Sequence, residues 1–329
     1  MPTISDWPLE VVVADIDELT PQIKGFVLQA ADGAALPSFK AGAHIRVGID
    51  APGVPAQGLL RYRSYSLINS DGPATQYHIA VKLEAQGEGG SRFMHELQVG
   101  DRLQCSAPRQ DFSLQDDIHH AVLIAGGIGI TPILSMARTL TAGQASYELH
   151  YAARSPQLMA FREQTQAMCG GRIRQYFDDA EPSNGLSLAQ ILGAPSPDRH
   201  VYVCGPQPLI DAVIAIGKEQ GWPSDHVHFE LFGAPAPQAR DGSCRVVLHR
   251  SGLTLDVPAG VSILDALIQA GVDPMFDCRR GECGVCALRV LSGTPEHRDY
   301  ALSDSDRHEE SLMCICVSRA GSAELVLDA

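Results

Sequence analysis

The chain has 329 residues, room for two or three domains, with 45% hydrophobic and 19% charged residues, an ordinary globular composition. A formal net charge of −14 argues against nonspecific nucleic-acid binding, which needs clustered Lys and Arg, and apolar runs such as Ala121-Val122-Leu123-Ile124-Ala125 are far too short to span a bilayer. Met1-Pro2-Thr3-Ile4-Ser5-Asp6 shows no basic region leading into an apolar stretch, so no signal peptide is expected and the cytoplasm is the default location.

Up to about residue 115 the sequence predicts a small antiparallel barrel. Short β-prone runs recur at Leu9–Val13, Lys24–Leu28, His44–Val47, Arg61–Leu67, Gln76–Val81 and Arg102–Cys105, separated by Gly, Pro and Asp. In Arg63-Ser64-Tyr65-Ser66-Leu67, strand alternation sets Arg63, Tyr65 and Leu67 on one face and Ser64 and Ser66 on the other. An Arg can grip a phosphate, a Tyr can cover an aromatic ring, and a Ser hydroxyl can bond a ring nitrogen; an edge strand with ordinary polar residues is the plain alternative. Gly87-Glu88-Gly89-Gly90-Ser91 reads as a Gly-rich turn into a helix with Ser91 at its N-cap, a phosphate site or else a hairpin tip.

Residues 116–233 alternate strands and helices, the pattern of a parallel α/β sheet. Strands are expected at Val122–Ala125, Tyr147–Tyr151, Ile173–Phe177 and Val201–Val203, and helices at Gln157–Met168 and Pro208–Glu219. Another helix opens with Thr131 as cap and Pro132 at its first position. Gly126-Gly127-Ile128-Gly129-Ile130-Thr131-Pro132 follows the first strand directly. Its glycines let the backbone approach a pyrophosphate at a helix start, so a dinucleotide site is favoured over a tight turn of structural origin. Cys204-Gly205-Pro206 ends a later strand, where ligands bind in such sheets, although a free Cys is more often a small buried hydrophobe. Asp178 and Asp179 follow Phe177, where an acid can bond ribose hydroxyls and repel a 2′-phosphate, favouring NAD over NADP; a solvated loop is the alternative.

Residues 234–242 form a Pro- and Ala-rich linker candidate, and residues 243–329 form a third block. Its hairpin, Cys244–Leu248 with Leu253–Val257, leads to a helix at Ile263–Ala270 capped by Ser262 and Asp265, and Leu325–Leu327 closes as a strand. Between them lies Cys278-Arg279-Arg280-Gly281-Glu282-Cys283-Gly284-Val285-Cys286, followed by Cys314 and Cys316. Four residues and then two between the first three cysteines is the plant-type spacing for a [2Fe-2S] cluster. Structural zinc, which favours two short Cys/His pairs, and inert buried thiols are the alternatives. Nine cysteines, five of them in this region, also favour a cluster over disulfides. In a strand, Cys314 and Cys316 would face the same side, so spacing leaves the fourth ligand open.

These motifs, with Ala80-Val81-Lys82, Gly89-Gly90-Ser91, His228-Phe229-Glu230-Leu231-Phe232-Gly233, His297-Arg298-Asp299 and Val317-Ser318-Arg319-Ala320, give the whole chain a resemblance to the phthalate dioxygenase reductase family, which includes vanillate demethylase reductases. The resemblance implies a flavin barrel at 1–115, an NAD-binding α/β domain at 116–233 and an α+β, β-grasp-like ferredoxin domain at 243–329. It implies FMN, NADH and a [2Fe-2S] cluster, with Arg63 and Ser91 on the flavin phosphate, Tyr65 lining the ring, Ser66 near its reactive nitrogen, Lys82 along it and Phe232 close by. Ser64, Ala80, Val81, Gly89 and Gly90 complete that set, while Gly126, Gly127, Gly129, Thr131, Gly205 and Pro206 would meet the nicotinamide cofactor, with Cys204 on the hydride path. Ser66, Thr131 and Cys204 form the implied catalytic group. The ligand set is Cys278, Cys283, Cys286 and Cys316, because the family's last ligand immediately precedes Val-Ser-Arg-Ala; raw spacing also suits Cys314, and a two-residue insertion before Met313 reconciles the two. A monomer delivering single electrons to a Rieske-type oxygenase that acts on an aromatic compound is the implied role. An FAD enzyme of the same architecture, a redox carrier without turnover and a zinc-stabilised flavoprotein are the rivals. Arg279 and Arg280 are either docking charges for the partner or plain solvent-facing charge.

Overall fold

The computed structural model describes residues 9–49, 62–69, 72–85, 87, 89–116, 118–179, 185–235 and 241–329, so Arg61, Glu88 and most of the expected linker lie outside the described residues. The chain divides into two compact units, Met1–Glu230 and Leu231–Ala329.

The first unit begins with β1 (Leu9–Thr20), β2 (Ile23–Ala30), β3 (Leu36–Phe39), β4 (His44–Gly48), β5 (Tyr62–Ser66), β6 (Gly72–Ala74), β7 (Tyr77–Lys82), α1 (Gly90–Glu96) and β8 (Arg102–Cys105). Six strands form an antiparallel sheet in the order β5-β4-β8-β1-β2-β7. Its two edges are joined just past β5. Ile68 N–H donates to the His78 carbonyl at 2.9 Å, and the Asn69 side chain accepts from His78 N–H and donates to the Gln76 carbonyl. This closure makes the sheet a barrel and removes two edges that would otherwise expose unpaired backbone groups. Alternate residues, among them Val11, Val13, Ile45, Val47, Leu67, Ile79 and Val81, fill its interior.

The rest of this unit comprises β9 (His120–Gly126), α2 (Ile130–Ala142), β10 (Ser146–Ala153), α3 (Arg162–Cys169), β11 (Ile173–Phe177), α4 (Leu188–Leu192), β12 (Arg199–Cys204), α5 (Gln207–Glu219) and β13 (Val227–Glu230). Five parallel strands run in the order β11-β10-β9-β12-β13. The central strand is covered on both faces, which explains why Ala121–Ala125 is continuously apolar and fully buried.

Three local expectations are corrected. The helix expected at Gln157–Met168 is a single 3-10 turn at Pro156–Leu158, then α3; Phe161 between them has φ 56, a left-handed conformation that no helix can carry through. Thr131 does not cap α2, which starts at Ile130 behind a 3-10 turn at Gly127–Gly129; the Thr131 hydroxyl donates back to the Ile128 carbonyl at 3.1 Å. Ser91 is likewise inside α1, whose cap is Gly89, and its hydroxyl accepts from Glu84 N–H at 3.0 Å.

The second unit contains β14 (Cys244–Leu248), β15 (Thr254–Val257), α6 (Ile263–Gln269), β16 (Ala287–Ser292), β17 (Pro295–Glu296), α7 (Asp304–His308), β18 (Leu312–Cys314), β19 (Arg319–Ala320) and β20 (Glu324–Leu327). Its main sheet, β15-β14-β20-β16-β18, is mixed, with β14 parallel to β20 and the other pairs antiparallel. The Ser262 hydroxyl caps α6 by accepting from Asp265 N–H at 3.0 Å, and Ile263, Leu264 and Leu267 anchor the helix in the core. A helix on a mixed sheet, after a barrel and a parallel α/β sheet, is the three-part architecture the sequence implies.

Candidate active site and cysteine cluster

In the parallel sheet the chain runs from β9 outward through β10 to β11, then crosses to β12 and β13 on the other side. The strand order therefore reverses between β9 and β12, the place where open α/β sheets bind ligands at their strand C-termini. Gly126–Gly129 leaves β9 at this point, and Cys204-Gly205-Pro206 leaves β12 beside it. The two turns pack backbone on backbone. A Cβ at Gly129 would lie 2.2 Å from the Cys204 carbonyl oxygen, and one at Gly126 would lie 2.7 Å from Pro206 Cδ. Glycine is required here by proximity alone, and a phosphate chain can reach main-chain N–H groups that a side chain would screen. Gly127, with φ 55, has open space where its side chain would be. Asp178 directly follows β11 at the sheet edge, two strands from β9, and its neighbour Asp179 has φ 48 with its N–H on the Arg154 carbonyl.

Cys204 is fully buried and stands opposite Glu230, the last residue of β13. Glu230 is itself buried, and its carboxylate accepts from the Ser66 hydroxyl at 3.4 Å. One barrel residue and two strand-end residues of the α/β sheet thus meet beside the switch point, with Thr131 also buried at the start of α2. Ser66, Thr131 and Cys204 are residues the family resemblance points to, whereas Glu230 has no role implied by sequence. Its signal was a single acid closing an apolar strand between Phe229 and Leu231. Such a carboxylate needs partners, and Ser66 is one of them.

Along β5 the alternation appears as expected: Tyr65 and Leu67 turn to the barrel core while Ser64 is exposed and Ser66 faces Glu230. Burial raises the Tyr65 hydroxyl well above the usual phenol range, so it stays protonated. Gly90 presses on Arg63, since a Cβ there would lie 2.8 Å from Arg63 Cγ, bringing Arg63, Gly89, Gly90 and Ser91 into one neighbourhood. Ala80 and Val81 are buried on β7, and Lys82 pairs with Glu84 at 2.7 Å. Ala80 shares a core with Ile68, Ile130 and Ile133, so barrel and parallel sheet pack together over these residues.

In the second unit the cysteines form two groups. Cys278 and Cys283 lie on the loop after α6, and Cys286 opens toward β16, beside the segment of β18 that carries Cys314 and the turn that carries Cys316. Among the described residues, no three His, Cys, Asp or Glu side chains converge closely enough for a single ion. An all-thiol donor set at the plant-type spacing suits a binuclear iron–sulfur core better than two short Cys/His pairs would suit zinc. An amide points at a sulfur, as such a core requires: Arg280 N–H donates to Cys278 at 3.3 Å. The donor set therefore fits a [2Fe-2S] cluster.

Cys314 and Cys316 are not on one face of a strand, contrary to expectation. β18 ends at Cys314, and residues 315–317 turn, with Ser318 N–H on the Cys314 carbonyl at 3.0 Å. Of the two, Cys314 is fully buried at the end of β18, whereas Cys316 lies in the turn that follows it. Arg280 is not plain solvent-facing charge either, since it pairs with Glu282 at 2.9 Å with both side chains largely covered. Arg279 is more open; it bonds Asp265 and lies over the Phe276 ring. Phe232 is exposed near the start of this unit.

Three family models match in chain order: an oxidoreductase FAD-binding domain at residues 10–114, an oxidoreductase NAD-binding domain at 123–214 and a 2Fe-2S iron-sulfur cluster binding domain at 246–321. A vanillate O-demethylase oxidoreductase of a Pseudomonas species is 40% identical over 324 residues, covering 97% of this chain and 99% of the relative. The phthalate dioxygenase reductase of Burkholderia cepacia is 38% identical over 327 residues, 98% of each chain. A solved structure of a phthalate dioxygenase reductase, described as modular for electron transfer from pyridine nucleotides to [2Fe-2S], superimposes with a TM-score of 0.74 over 98% of both chains at 38% identity. Among the described residues no helix is long and apolar enough to cross a membrane.

Proposed function

The chain belongs to the phthalate dioxygenase reductase family, and on that premise we propose that it carries electrons from NADH through FMN and a [2Fe-2S] cluster to a Rieske-type oxygenase acting on an aromatic compound. It is an oxidoreductase with flavin, nicotinamide and [2Fe-2S] modules. When bound, flavin and cluster supply the change from a two-electron hydride donor to single-electron delivery.

The observation that carries the reading is the meeting of Ser66, Cys204 and Glu230 beside the switch point. In this reading Ser66 and Cys204 would line the place where the two cofactors react, Glu230 holds the Ser66 hydroxyl in place, and Thr131 and the glycines at 126, 127, 129 and 205 with Pro206 would shape the nicotinamide seat. No side chain needs to act as acid or base; burial excludes water and fixes ring distance. Arg63 and Ser91 serve the flavin phosphate, with Gly89 and Gly90 giving backbone access. Ser64, Tyr65, Ala80, Val81 and Lys82 line the flavin, and Phe232 is assigned near its ring. Asp178 takes the ribose hydroxyls, favouring NADH. Cys278, Cys283, Cys286 and Cys316 hold the cluster. Modules are assigned to residues 1–115, 116–233 and 243–329, joined by a linker at 234–242. The protein acts as a cytoplasmic monomer in this scheme.

FMN is favoured by the family resemblance, in which the ferredoxin module stands last. FAD is the second reading, and it has the description of the model matched at residues 10–114 in its favour. One experiment tests the whole: an anaerobic visible spectrum before and after one equivalent of NADH, with iron counted and the released flavin weighed. Two irons and FMN, with flavin bleaching followed by partial loss of the iron–sulfur absorbance, are expected. FAD mass would select the second reading, and bleaching without iron would defeat the electron relay.

A further inference from the structure

We propose that Asp299 is a positioning residue for the [2Fe-2S] cluster, one buried carboxylate that locks the cysteine loop and the turn carrying Cys316 to each other. This rests on Cys278, Cys283, Cys286 and Cys316 being the ligands. The Asp299 side chain is 0% exposed in the second unit. Oδ1 accepts from the Ser318 hydroxyl at 3.0 Å; Oδ2 accepts from Leu302 N–H at 3.1 Å and from Arg307 at 3.2 Å. Arg307 also bonds the Asp299 carbonyl at 2.8 Å, and His297 Nδ1 faces Oδ1 at 3.6 Å. A carboxylate buried in such a place needs hydrogen-bond partners on both oxygens, and here it has them.

These bonds reach the cluster from two directions. Ser318 lies two residues beyond Cys316 and is fully buried, and its hydroxyl also accepts from Arg298 N–H at 3.2 Å. On the other side, Tyr300 and Ala301 N–H both donate to the Gly281 carbonyl, at 2.9 and 3.1 Å. Gly281, at φ 80, is seated so closely that a Cβ would lie 2.7 Å from Val317 Cγ2 and 3.1 Å from Asp299 Cα. The turn after Asp299 therefore holds the Gly281 backbone of the cysteine loop against Val317, next to the fourth ligand, while Asp299 through Ser318 pins the segment bearing that ligand. Hydrogen bonds to cluster sulfurs set reduction potential, and outer partners of this kind tune affinity about 10- to 100-fold.

The charge sets the sign. An added electron on the cluster is repelled by a nearby carboxylate, so Asp299→Asn, which also leaves Arg307 without its counter-charge, raises the midpoint potential. Ser318→Ala keeps the charge and cuts one tie, so iron loss to a chelator becomes about tenfold faster with little change in potential. Potentials are read by redox titration of the reduced cluster's electron paramagnetic resonance signal. Asp241→Asn is the control, because it removes a buried carboxylate paired with Arg298 in the same unit but touches neither Gly281 nor Ser318. The proposal fails if Asp299→Asn and Ser318→Ala keep the wild-type potential, signal and iron-loss rate, or if Asp241→Asn shifts them equally. Should Asp299→Asn not fold, the iron-loss rate of Ser318→Ala decides alone. Absence of a [2Fe-2S] signal in the wild type would instead sink the ligand assignment, and this proposal with it.

Discussion

The Ser66 hydroxyl of the barrel donates to the Glu230 carboxylate at the end of the parallel sheet, 3.4 Å away, and both residues are buried. This bond spans the two parts of the first unit at the point where Cys204 also arrives. Its length is that of a contact that can tighten when a ligand excludes the remaining solvent, as active-site bonds commonly do.

Ser66→Ala removes the donor that orients one ring against the other without touching the glycine turns. Flavin reduction by NADH is expected to slow about 10- to 100-fold while NADH affinity stays within a few-fold, because a small misplacement of reacting atoms costs rate before binding. Anaerobic stopped-flow at 450 nm (roughly the flavin band, set by the chromophore) measures both. A rate within twofold of wild type would remove Ser66 from the reacting site.

Gly129→Ala tests the close approach of the two turns. A methyl group 2.2 Å from the Cys204 carbonyl oxygen and 2.6 Å from Gly205 N has only backbone to displace, so one strand end must move. The expected cost is about 3 kcal/mol or more, a melting-temperature drop of roughly 6–12 °C for a unit of this size, with NADH binding weakened as well. Gly127→Ala, where φ is 55 but space is open, should cost only the strain of the left-handed backbone, about 1–2 kcal/mol. Equal losses in the two variants would contradict the packing argument.

How far the sequence could reveal these features follows from the range of the interactions behind them. The strand runs of the barrel and the continuous apolar β9 were legible because burial on one face or two writes itself into residue order. The cysteine spacing was legible because three of the four ligands sit on one short loop, while the distant fourth was not fixed by spacing. Phe161 was not: nothing in Leu158-Met159-Ala160-Phe161-Arg162 announces a left-handed residue, and the helical pattern around it is sound. Ser91 and Thr131 looked like caps, but the turns before them took over the helix starts. Glu230 and Asp299 escaped because their partners, Ser66 and Ser318, are distant in sequence or reached only through a folded turn.

The choice between Cys314 and Cys316 separates cleanly by mutation. Cys316→Ser should lose most of its iron or yield an altered, labile cluster, since an alkoxide or hydroxyl replaces a thiolate in a four-sulfur set. Cys314→Ser should retain two irons per chain and a wild-type visible spectrum, at a stability cost of about 1–3 kcal/mol for a hydroxyl in a fully buried strand position. Iron analysis and visible circular dichroism read the outcome. Iron loss confined to Cys314→Ser would reverse the assignment.

A pH dependence is built into the edge of the parallel sheet. His228 on β13 stacks on Tyr202 with ring centres 4.6 Å apart, and its Nε2 meets His200 Nδ1 at 2.9 Å. Burial first, then the neighbouring His200 and His226, push its pKa down to about 4, with Asp225 opposing. The unfolded chain, with an ordinary histidine near 6.5, therefore binds the proton over a range where the folded protein refuses it. Stability from this group is complete above pH 6.5, falls as pH drops toward 4, and changes no further once both states are protonated. Because the ring is only partly covered, the loss is about 1–2 kcal/mol rather than the full value of the shift. Thermal unfolding of the wild type and His228→Gln between roughly pH 4.5 and 7, followed by flavin release, isolates the contribution as a difference in slope over the window in which His228 titrates. Parallel curves for the two proteins would show that the stack carries no proton linkage.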